Sequence, residues 1–181
     1  MLSLRSVNQF YGQNHILWDV DLDLSPGTCT GILGRPGMGK TTLVNCIMGR
    51  LPINSGTISW KEDGSPPEDL LLQPAEQRAQ MGIGYVPQGR HIFTQMSVED
   101  NLLIALLAGA SQRHRHRALP EMVFDLFPAL YSPRPQRSGA LPIDPPQQLA
   151  LAPSPPLQPP PLILDEPTDG LSPWPEVAVG T

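Results

Sequence analysis

The sequence predicts an α/β fold with a mostly parallel sheet, and three observations support this prediction. Strand-like and helix-like segments alternate over the first 130 residues. A glycine-rich loop at residues 34–42 lies between a strand-like segment and a helix-like segment. A second apolar run, residues 162–164, ends in two adjacent carboxylates.

The strands are predicted from short apolar runs with a period near two, bounded by turn residues. The predicted strands are residues 1–10, 16–24, 28–33, 57–60 and 84–87. Turns rich in Gly, Asn, Ser and Pro precede or separate them, at residues 11–14, 25–27 and 54–56. Residues 61–72, which contain Gly64 and two adjacent prolines, are predicted to be an exposed excursion.

The helices are predicted from apolar runs and their start signals. The predicted helices are residues 43–48, 74–81, 101–107 and 121–127. Pro74 suits the first turn of the second helix. Backbone N–H groups there have no intrahelical acceptor, so a proline, which lacks the N–H, loses no hydrogen bond. Ser97 and Asp100 form a capping box ahead of the third helix.

Composition limits the classes of function. A chain of 181 residues fits one domain, and its net charge of −5 with a pI near 5.2 gives no broad basic surface for nucleic acid. Cys29 and Cys46 fall in predicted core elements, so we expect reduced, buried thiols. We see no signal peptide and no apolar run near the roughly 20 residues that span a bilayer. A membrane role would therefore come through a partner.

Proline divides the chain into two parts. Of the 23 prolines, 14 lie between Pro133 and Pro175, so a globular part is predicted to end near Leu130. Before that boundary, residues 113–117 alternate arginine with two histidines. A metal site or an anion patch is one interpretation, but adjacent guanidinium charges oppose a cation. A solvated connector is favoured.

The glycine-rich loop matches G-x-x-x-x-G-K-[ST], the phosphate-binding loop of nucleoside triphosphatases. Glycines let successive backbone N–H groups point into one concavity that binds anions. The predicted nucleotide-binding residues of the loop are Gly34, Arg35, Pro36, Gly37, Met38, Gly39, Lys40, Thr41 and Thr42. The Lys40 ammonium would reach the β and γ phosphates, the Thr41 hydroxyl would bind Mg²⁺, and the helix that follows adds its positive end.

The apolar run that ends in Asp165 and Glu166 has the Walker B arrangement. Asp165 would hold Mg²⁺ directly or through water, and Glu166 would orient or deprotonate the attacking water. Many strands end in acidic residues, so this pattern alone is weak. Together with the phosphate loop upstream, it predicts a site that binds ATP and Mg²⁺.

Three motifs in this order resemble the ATP-binding subunit of an ABC transporter. They are the phosphate loop, the run Tyr-Val-Pro-Gln at residues 85–88 and the run Asp-Glu-Pro-Thr at residues 165–168. Within that superfamily, residues 8–12, 46–49 and 85–90 resemble the urea-uptake ATPase subunit, a relative of the branched-chain amino acid ATPases.

The resemblance implies a role for each matching residue. Tyr11 would stack on adenine, with an ordinary turn tyrosine as the alternative. Gln88 would link Mg²⁺ and the γ-phosphate to a helical lid, which makes it both a metal ligand and a catalytic residue. Thr41 and Asp165 would complete the Mg²⁺ ligands, and Glu166 would be the second catalytic residue.

The resemblance also implies the architecture. It is a P-loop NTPase core sheet of the ABC type, with a small antiparallel β part, a helical lid and a truncated, proline-rich C-terminal part. One domain, residues 1–181, would comprise a core at 1–88, a lid at 89–130, a degenerate signature region at 131–160 and the Walker B end at 161–181.

The resemblance further implies partners and a location. Transmembrane permease subunits and a second ATPase subunit would bind the chain directly, and a periplasmic solute-binding protein would act indirectly. The chain would be peripheral on the cytoplasmic face of the inner membrane. No nucleic-acid partner is expected.

The sequence departs from the family at the Leu-Ser-Gly-Gly-Gln signature. The corresponding residues 141–150 read Leu-Pro-Ile-Asp-Pro-Pro-Gln-Gln-Leu-Ala, without the serine and both glycines. Asp144 places a negative charge where a phosphate would lie. Because Pro153, Pro155 and Pro156 follow, each costing about 3 kcal/mol inside a helix, we expect that no signature helix forms.

Two further departures concern the nucleotide site itself. The family's switch histidine follows Walker B, and the sequence ends at Thr181 without a histidine there; its histidines are His15, His91, His114 and His116. Relatives usually have asparagine where this loop has Pro36, so one N–H is lost and weaker nucleotide binding is expected.

Three interpretations remain open. The first is an ABC importer ATPase that powers uptake of urea or a related small polar solute. The second is a hydrolysis-deficient, truncated remnant that binds nucleotide only. A third, another P-loop enzyme such as a kinase, is disfavoured by Tyr11, Gln88 and the acidic pair.

Overall fold

The computed structural model describes residues 1–62, 64–89, 91–109, 119, 121–142, 144–152 and 161–167. They belong to two compact units, Met1–Ile83 and Gly84–Thr181. The predicted connector at 113–117 and Pro153, Pro155 and Pro156 lie outside the described residues. Within the described ranges, no helix has the length and apolar character needed to span a bilayer.

The first unit contains a four-stranded antiparallel sheet. Its strands are β1 (Leu2–Tyr11), β2 (Asn14–Leu24), β3 (Ser55–Trp60) and β4 (Glu68–Asp69), in the order β2-β1-β3-β4. Gly12, at φ 61°, permits the tight predicted turn between β1 and β2. Alternate residues of β1, such as Leu2 and Leu4, are fully buried, which is the period-two pattern that predicted the strand.

The predicted excursion at residues 61–72 is only partly exposed. It includes β4 and a 3₁₀ turn at Leu70–Leu72, and Leu70 is completely buried. The Asp69 carboxylate accepts a hydrogen bond from the Leu71 N–H at 2.9 Å and so caps this turn. The prediction missed these elements because Gly64, Pro66 and Pro67 indicated a loop, and the apolar run at residues 70–72 is short.

The predicted strand at residues 28–33 is wrong. No strand of the described residues pairs with it, and Leu33 is 95% exposed. A strand forms only where neighbouring strands accept and donate its backbone hydrogen bonds, and the sheet of this unit offers none here. Cys29 is therefore exposed, whereas Cys46 is buried as expected.

Two helices follow in this unit. Helix α1 (Lys40–Ile47) continues from the glycine-rich loop. Helix α2 (Ala75–Gln80) lies within the predicted range, but Pro74 is its extended N-cap and not a residue of its first turn. Helix α1 buries four apolar residues, which are Leu43, Val44, Cys46 and Ile47. Burial raises the pKa of the Cys46 thiol to about 11, so this thiol stays protonated and unreactive at neutral pH.

Among its described residues, the second unit has three α-helices and a parallel pair of strands. They are β5 (Gly84–Val86), α3 (Val98–Gly109), α4 (Met122–Leu126), α5 (Asp144–Leu151) and β6 (Leu162–Leu164). The helices share a buried core of Val98, Leu102, Val123, Leu130, Leu149 and Ala152. The α/β class is thus confirmed, although among the described strands the antiparallel part is the larger one.

The predicted capping box opens α3. The Asp100 N–H donates to Ser97 Oγ at 3.0 Å, and the Ser97 hydroxyl donates to the Asp100 carboxylate at 2.6 Å. The helix begins at Val98, three residues earlier than predicted, because the residue after the N-cap Ser97 is already the first helical residue.

The prediction that no signature helix forms is wrong. Residues Asp144–Leu151 are helical, and Leu149 and Leu151 are buried. Pro145 and Pro146 fall in the first turn, where backbone N–H groups have no intrahelical acceptor, so proline loses no hydrogen bond there. The helix ends at Leu151, and Pro153, Pro155 and Pro156 lie outside the described residues.

Candidate functional site

The glycine-rich loop contains a tight turn just before helix α1. The Met38 N–H donates to the Arg35 carbonyl at 3.3 Å, which closes a turn over Pro36 and Gly37. Gly37 has φ 82°, a left-handed value that the third position of a type II turn requires. Proline is favoured at the second position of that turn, so Pro36 fits the loop even though it lacks an N–H.

The end of the loop opens helix α1. Gly39 is the N-cap with φ 85°, and the first helical hydrogen bond runs from the Leu43 N–H to the Gly39 carbonyl at 2.8 Å. The amides of the first turn precede the helical ladder and lie at the positive end of the helix. This is an arrangement that binds phosphate oxygens.

The Lys40 ammonium lies against the loop. It donates to the Gly34 carbonyl at 2.9 Å and to the Arg35 carbonyl at 3.2 Å. An ammonium group has three N–H donors, so a phosphate oxygen can be bound without displacing both carbonyls. The lysine and the loop therefore present positive charge at the same place.

Helix α1 is anchored at its other end by Arg78, which the sequence analysis did not single out. Arg78 is buried and donates to the Cys46 carbonyl at 2.9 Å and the Ile47 carbonyl at 2.7 Å. Burial lowers the pKa of Arg78, but a guanidinium remains charged in proteins. The Arg78 guanidinium thus offsets the partial negative charge at the carboxyl end of α1, the helix that begins at the glycine-rich loop.

The carboxyl ends of β5 and β6 bring Gln88 and Glu166 together. Val86 and Leu164 are register partners in this parallel pair, and each predicted site residue follows its strand end by two residues. The Gln88 side-chain amide donates to Glu166 Oε2 at 2.8 Å. Two residues that lie 78 positions apart in sequence are thus in direct contact, a contact that the sequence analysis did not predict.

Asp165 lies next to this pair and is buried, 5% exposed. Its N–H donates to the Val86 carbonyl at 3.0 Å and extends the β5–β6 ladder by one residue. Glu166 has φ 48°, which is strained for a residue with a side chain. His91 Nε2 lies 3.1 Å from the Gln88 carbonyl oxygen, so the imidazole contacts the same segment.

The predicted site residues therefore form two groups, one in each unit. Tyr11 and the phosphate loop belong to the first unit, where Tyr11 ends β1 and is 49% exposed. Gln88, Asp165 and Glu166 belong to the second unit. In the described ranges, no three His, Cys, Asp or Glu side chains gather as a metal cage. Mg²⁺ does not need one, because it binds through one or two carboxylates, waters and substrate phosphates.

A glycine-rich loop that opens a helix and acidic residues that follow parallel strands are each typical of nucleotide-binding α/β proteins. The sequence model of the ABC transporter family matches residues 17–169 of this chain. The chain belongs to this family, and its resemblance to the ATP-binding subunit is thereby confirmed.

Individual relatives agree with this assignment. The chain is 33% identical over 173 residues to a probable branched-chain amino acid transport ATP-binding protein, LivF, of Archaeoglobus fulgidus, and it covers 70% of that protein. It is 31% identical to the high-affinity branched-chain amino acid transport protein BraG of Pseudomonas aeruginosa and covers 71% of it. It is also 36% identical over 105 residues to the lipopolysaccharide export protein LptB of Escherichia coli.

Solved structures support the fold. The ATP-binding subunit of an ABC transporter superposes with a TM-score of 0.81 at 24% identity, over 99% of this chain and 71% of that one. A bacterial ABC transporter cassette solved as a dimer gives a TM-score of 0.81 at 19% identity, over 99% of this chain and 79% of the other.

Proposed function

We propose that this chain is the ATP-binding subunit of an ABC importer for a small polar solute. The contact between Gln88 and Glu166 carries the proposal, because it joins the two predicted catalytic side chains at the carboxyl ends of paired strands. Urea, a related amide or a branched-chain amino acid is the proposed solute. The two branched-chain amino acid relatives support this class, and the sequence motifs favour urea.

In this proposal each group has one task. The phosphate loop and Lys40 bind the triphosphate, and Tyr11 packs on the adenine. The oxygen atoms of Thr41, Gln88 and Asp165 are the hard ligands that suit Mg²⁺, which would neutralise charge on the phosphate oxygens. Glu166 orients the attacking water and accepts its proton.

The partners follow from the family. Transmembrane permease subunits and a second ATPase subunit would bind the chain, and a solute-binding protein would deliver the solute to the permease. We place the chain on the cytoplasmic face of the inner membrane, held there by the permease.

Nucleotide binding is tested with the two lysines of the sequence, Lys40 and Lys61. Lys40→Ala should abolish binding of a labelled ATP analogue, because it removes the cation that lies over the loop. Lys61→Ala removes the same charge from an exposed position and should bind like the wild type. Equal affinity of the wild type and Lys40→Ala would contradict the proposed site.

A hydrolysis-deficient nucleotide-binding subunit is the second candidate. The segment that corresponds to the signature favours it, because α5 begins with Asp144, Pro145 and Pro146 in place of serine and glycine. We expect the purified chain alone to release negligible phosphate from ATP. A steady rate that Glu166→Gln abolishes and Glu76→Gln leaves intact would exclude this candidate.

The solute is tested by transport in cells. Cells that lack this chain should regain uptake of labelled urea or leucine when they express the wild type, and not when they express Lys40→Ala. If neither version changes uptake of either solute, the importer assignment fails while nucleotide binding stands.

A further inference from the structure

A pocket in the second unit is lined by aromatic and charged side chains together. Its volume is about 580 Å³, within the range of about 300–1,000 Å³ that is typical of small-molecule sites. Among the described residues that line it are Glu121, Phe124, Asp125, Pro128, Tyr131 and Arg134. None of these residues belongs to the proposed nucleotide site, so the pocket needs an explanation of its own.

Two aromatic rings hold the Arg134 guanidinium at this pocket. Its Cζ atom lies 4.3 Å from the Phe124 ring centroid and 4.1 Å from the Tyr131 ring centroid. The two rings meet edge to face, with their centroids 5.6 Å apart. The Arg134 carbonyl accepts the Glu99 N–H at 3.1 Å, which fixes the backbone of the residue. A guanidinium that stacks on ring faces keeps its in-plane N–H donors available, and these match the two oxygens of a carboxylate.

Two carboxylates line the same pocket. Glu121 and Asp125 are one helical turn apart, because the Asp125 N–H donates to the Glu121 carbonyl at 3.1 Å. Side chains at this spacing share a face of the helix, and like charges there repel each other. A ligand cation between the two carboxylates would remove this repulsion. Neither carboxylate forms an ion pair with Arg134, and none of the three charges pairs with any other side chain in the part of the chain that the structure describes.

We propose that this pocket binds a free α-amino acid with an apolar side chain. The ligand carboxylate binds the Arg134 guanidinium, its ammonium group binds Glu121 and Asp125, and its side chain packs on the aromatic rings. A zwitterion suits the pocket better than a simple anion or cation, because it satisfies protein groups of both signs. Glu121 and Asp125 are exposed, and exposed ion pairs contribute little, so millimolar affinity is expected. This ligand is additional to the nucleotide.

The test is isothermal titration calorimetry of the full chain without nucleotide. The ligands are L-leucine and two analogues that each lack one of its charges. Isocaproate has no ammonium group, and isoamylamine has no carboxylate. Leucine should bind more tightly than either analogue, because only leucine satisfies the guanidinium and the carboxylates together. Urea, which carries no charge, should not bind.

Variants assign each charge of the ligand to its partner. Arg134→Gln should lower the leucine affinity about 10-fold, because a charge-assisted hydrogen bond is lost, and should leave isoamylamine binding unchanged. The double variant Glu121→Gln, Asp125→Asn should weaken binding of leucine and isoamylamine but not of isocaproate, and it tests the site independently if Arg134→Gln does not fold. Arg137→Gln, the matched control, removes the same charge from an exposed position and should bind leucine like the wild type.

Three results would overturn the amino-acid site. Wild-type protein that gives no heat of binding at millimolar leucine lacks the site. Isocaproate binding as tight as leucine binding would reduce the pocket to an anion site. An equal loss of leucine and isoamylamine affinity in Arg134→Gln would show that Arg134 only supports the fold. Because no nucleotide is present, each of these results leaves the proposed phosphate site untouched.

Discussion

Removing the guanidinium of Arg78 should destabilise the first unit strongly. This buried side chain donates to the carbonyls of Cys46 and Ile47 at the end of α1, and its Nε donates to the Gln73 carbonyl at 2.9 Å. Arg78→Ala removes the cation that donates to these carbonyls. The methyl group of alanine cannot fill the space that the guanidinium occupied. The change thus uncaps the helix whose other end carries the proposed phosphate-binding loop.

The magnitude follows from the carbonyls of Ile47 and Gln73, because the Cys46 carbonyl still accepts from the Gly49 N–H at 3.2 Å. Each buried acceptor left without a donor costs about 1–3 kcal/mol, so the free energy of unfolding should fall by about 2–6 kcal/mol. Total stabilities are roughly 5–15 kcal/mol, which makes this a large fraction. With a urea m-value near 2 kcal/mol/M, the unfolding midpoint should fall by about 1–3 M. Far-UV circular dichroism in a urea titration measures it.

Arg5→Ala is the matched control. Arg5 forms a 2.8 Å ion pair with Asp23 in which both side chains are about half exposed, and such pairs contribute little to stability. Arg78→Lys keeps the charge but not the planar fork, so its midpoint should lie between those of the wild type and Arg78→Ala. If Arg78→Ala shifts the midpoint no further than Arg5→Ala does, the capping role is refuted.

Three other predictions concern the two cysteine thiols and the cap of helix α3. Iodoacetamide at pH 8 should label exposed Cys29 rapidly and buried Cys46 only after unfolding, as mass spectrometry of the peptides would reveal. The folded-state pKa of Cys46 is raised from 9.0 to about 11, so its contribution to stability is complete below pH 9 and is lost towards pH 11. Cys46→Ala should lack that decline in urea titrations across this range. Ser97→Ala should lower the free energy of unfolding by about 1 kcal/mol, whereas Ser97→Thr, which keeps the hydroxyl, should retain most of the stability.

The sequence predicts best where a few neighbouring residues determine the structure. The turn at Gly12, the cap at Ser97 and the start of a helix next to Pro74 each depend on backbone preferences within three or four residues. The phosphate loop belongs to this class, because the positive φ values of Gly37 and Gly39 need only glycine. Gln88 and Glu166 were singled out by family resemblance, but the hydrogen bond between their side chains is known only from the structure.

Features that depend on distant partners could not be predicted in the same way. Residues 28–33 have strand-like composition, but a strand also needs neighbours, which the sequence does not name. Arg78 binds carbonyls that lie more than 30 residues away in sequence. The residues of its own short helix, α2, therefore did not indicate that it would be buried or would cap α1. Leu70 became a core residue only because β3 pairs with β4 beside it.

Helix α5 illustrates why the position of a proline matters more than its number. Pro145 and Pro146 are compatible with the helix because they occupy its first turn, yet those positions are also where a helix offers N–H groups to an anion. Proline has no N–H, and Asp144 adds a negative charge at the same end. The resemblance assigns this helix start to the γ-phosphate of a second subunit. We therefore expect that a dimer of this chain with a complete ATPase subunit has one competent composite site, at the phosphate loop of this chain. A dimer of two copies would have none, and phosphate-release rates of the two assemblies would distinguish these cases.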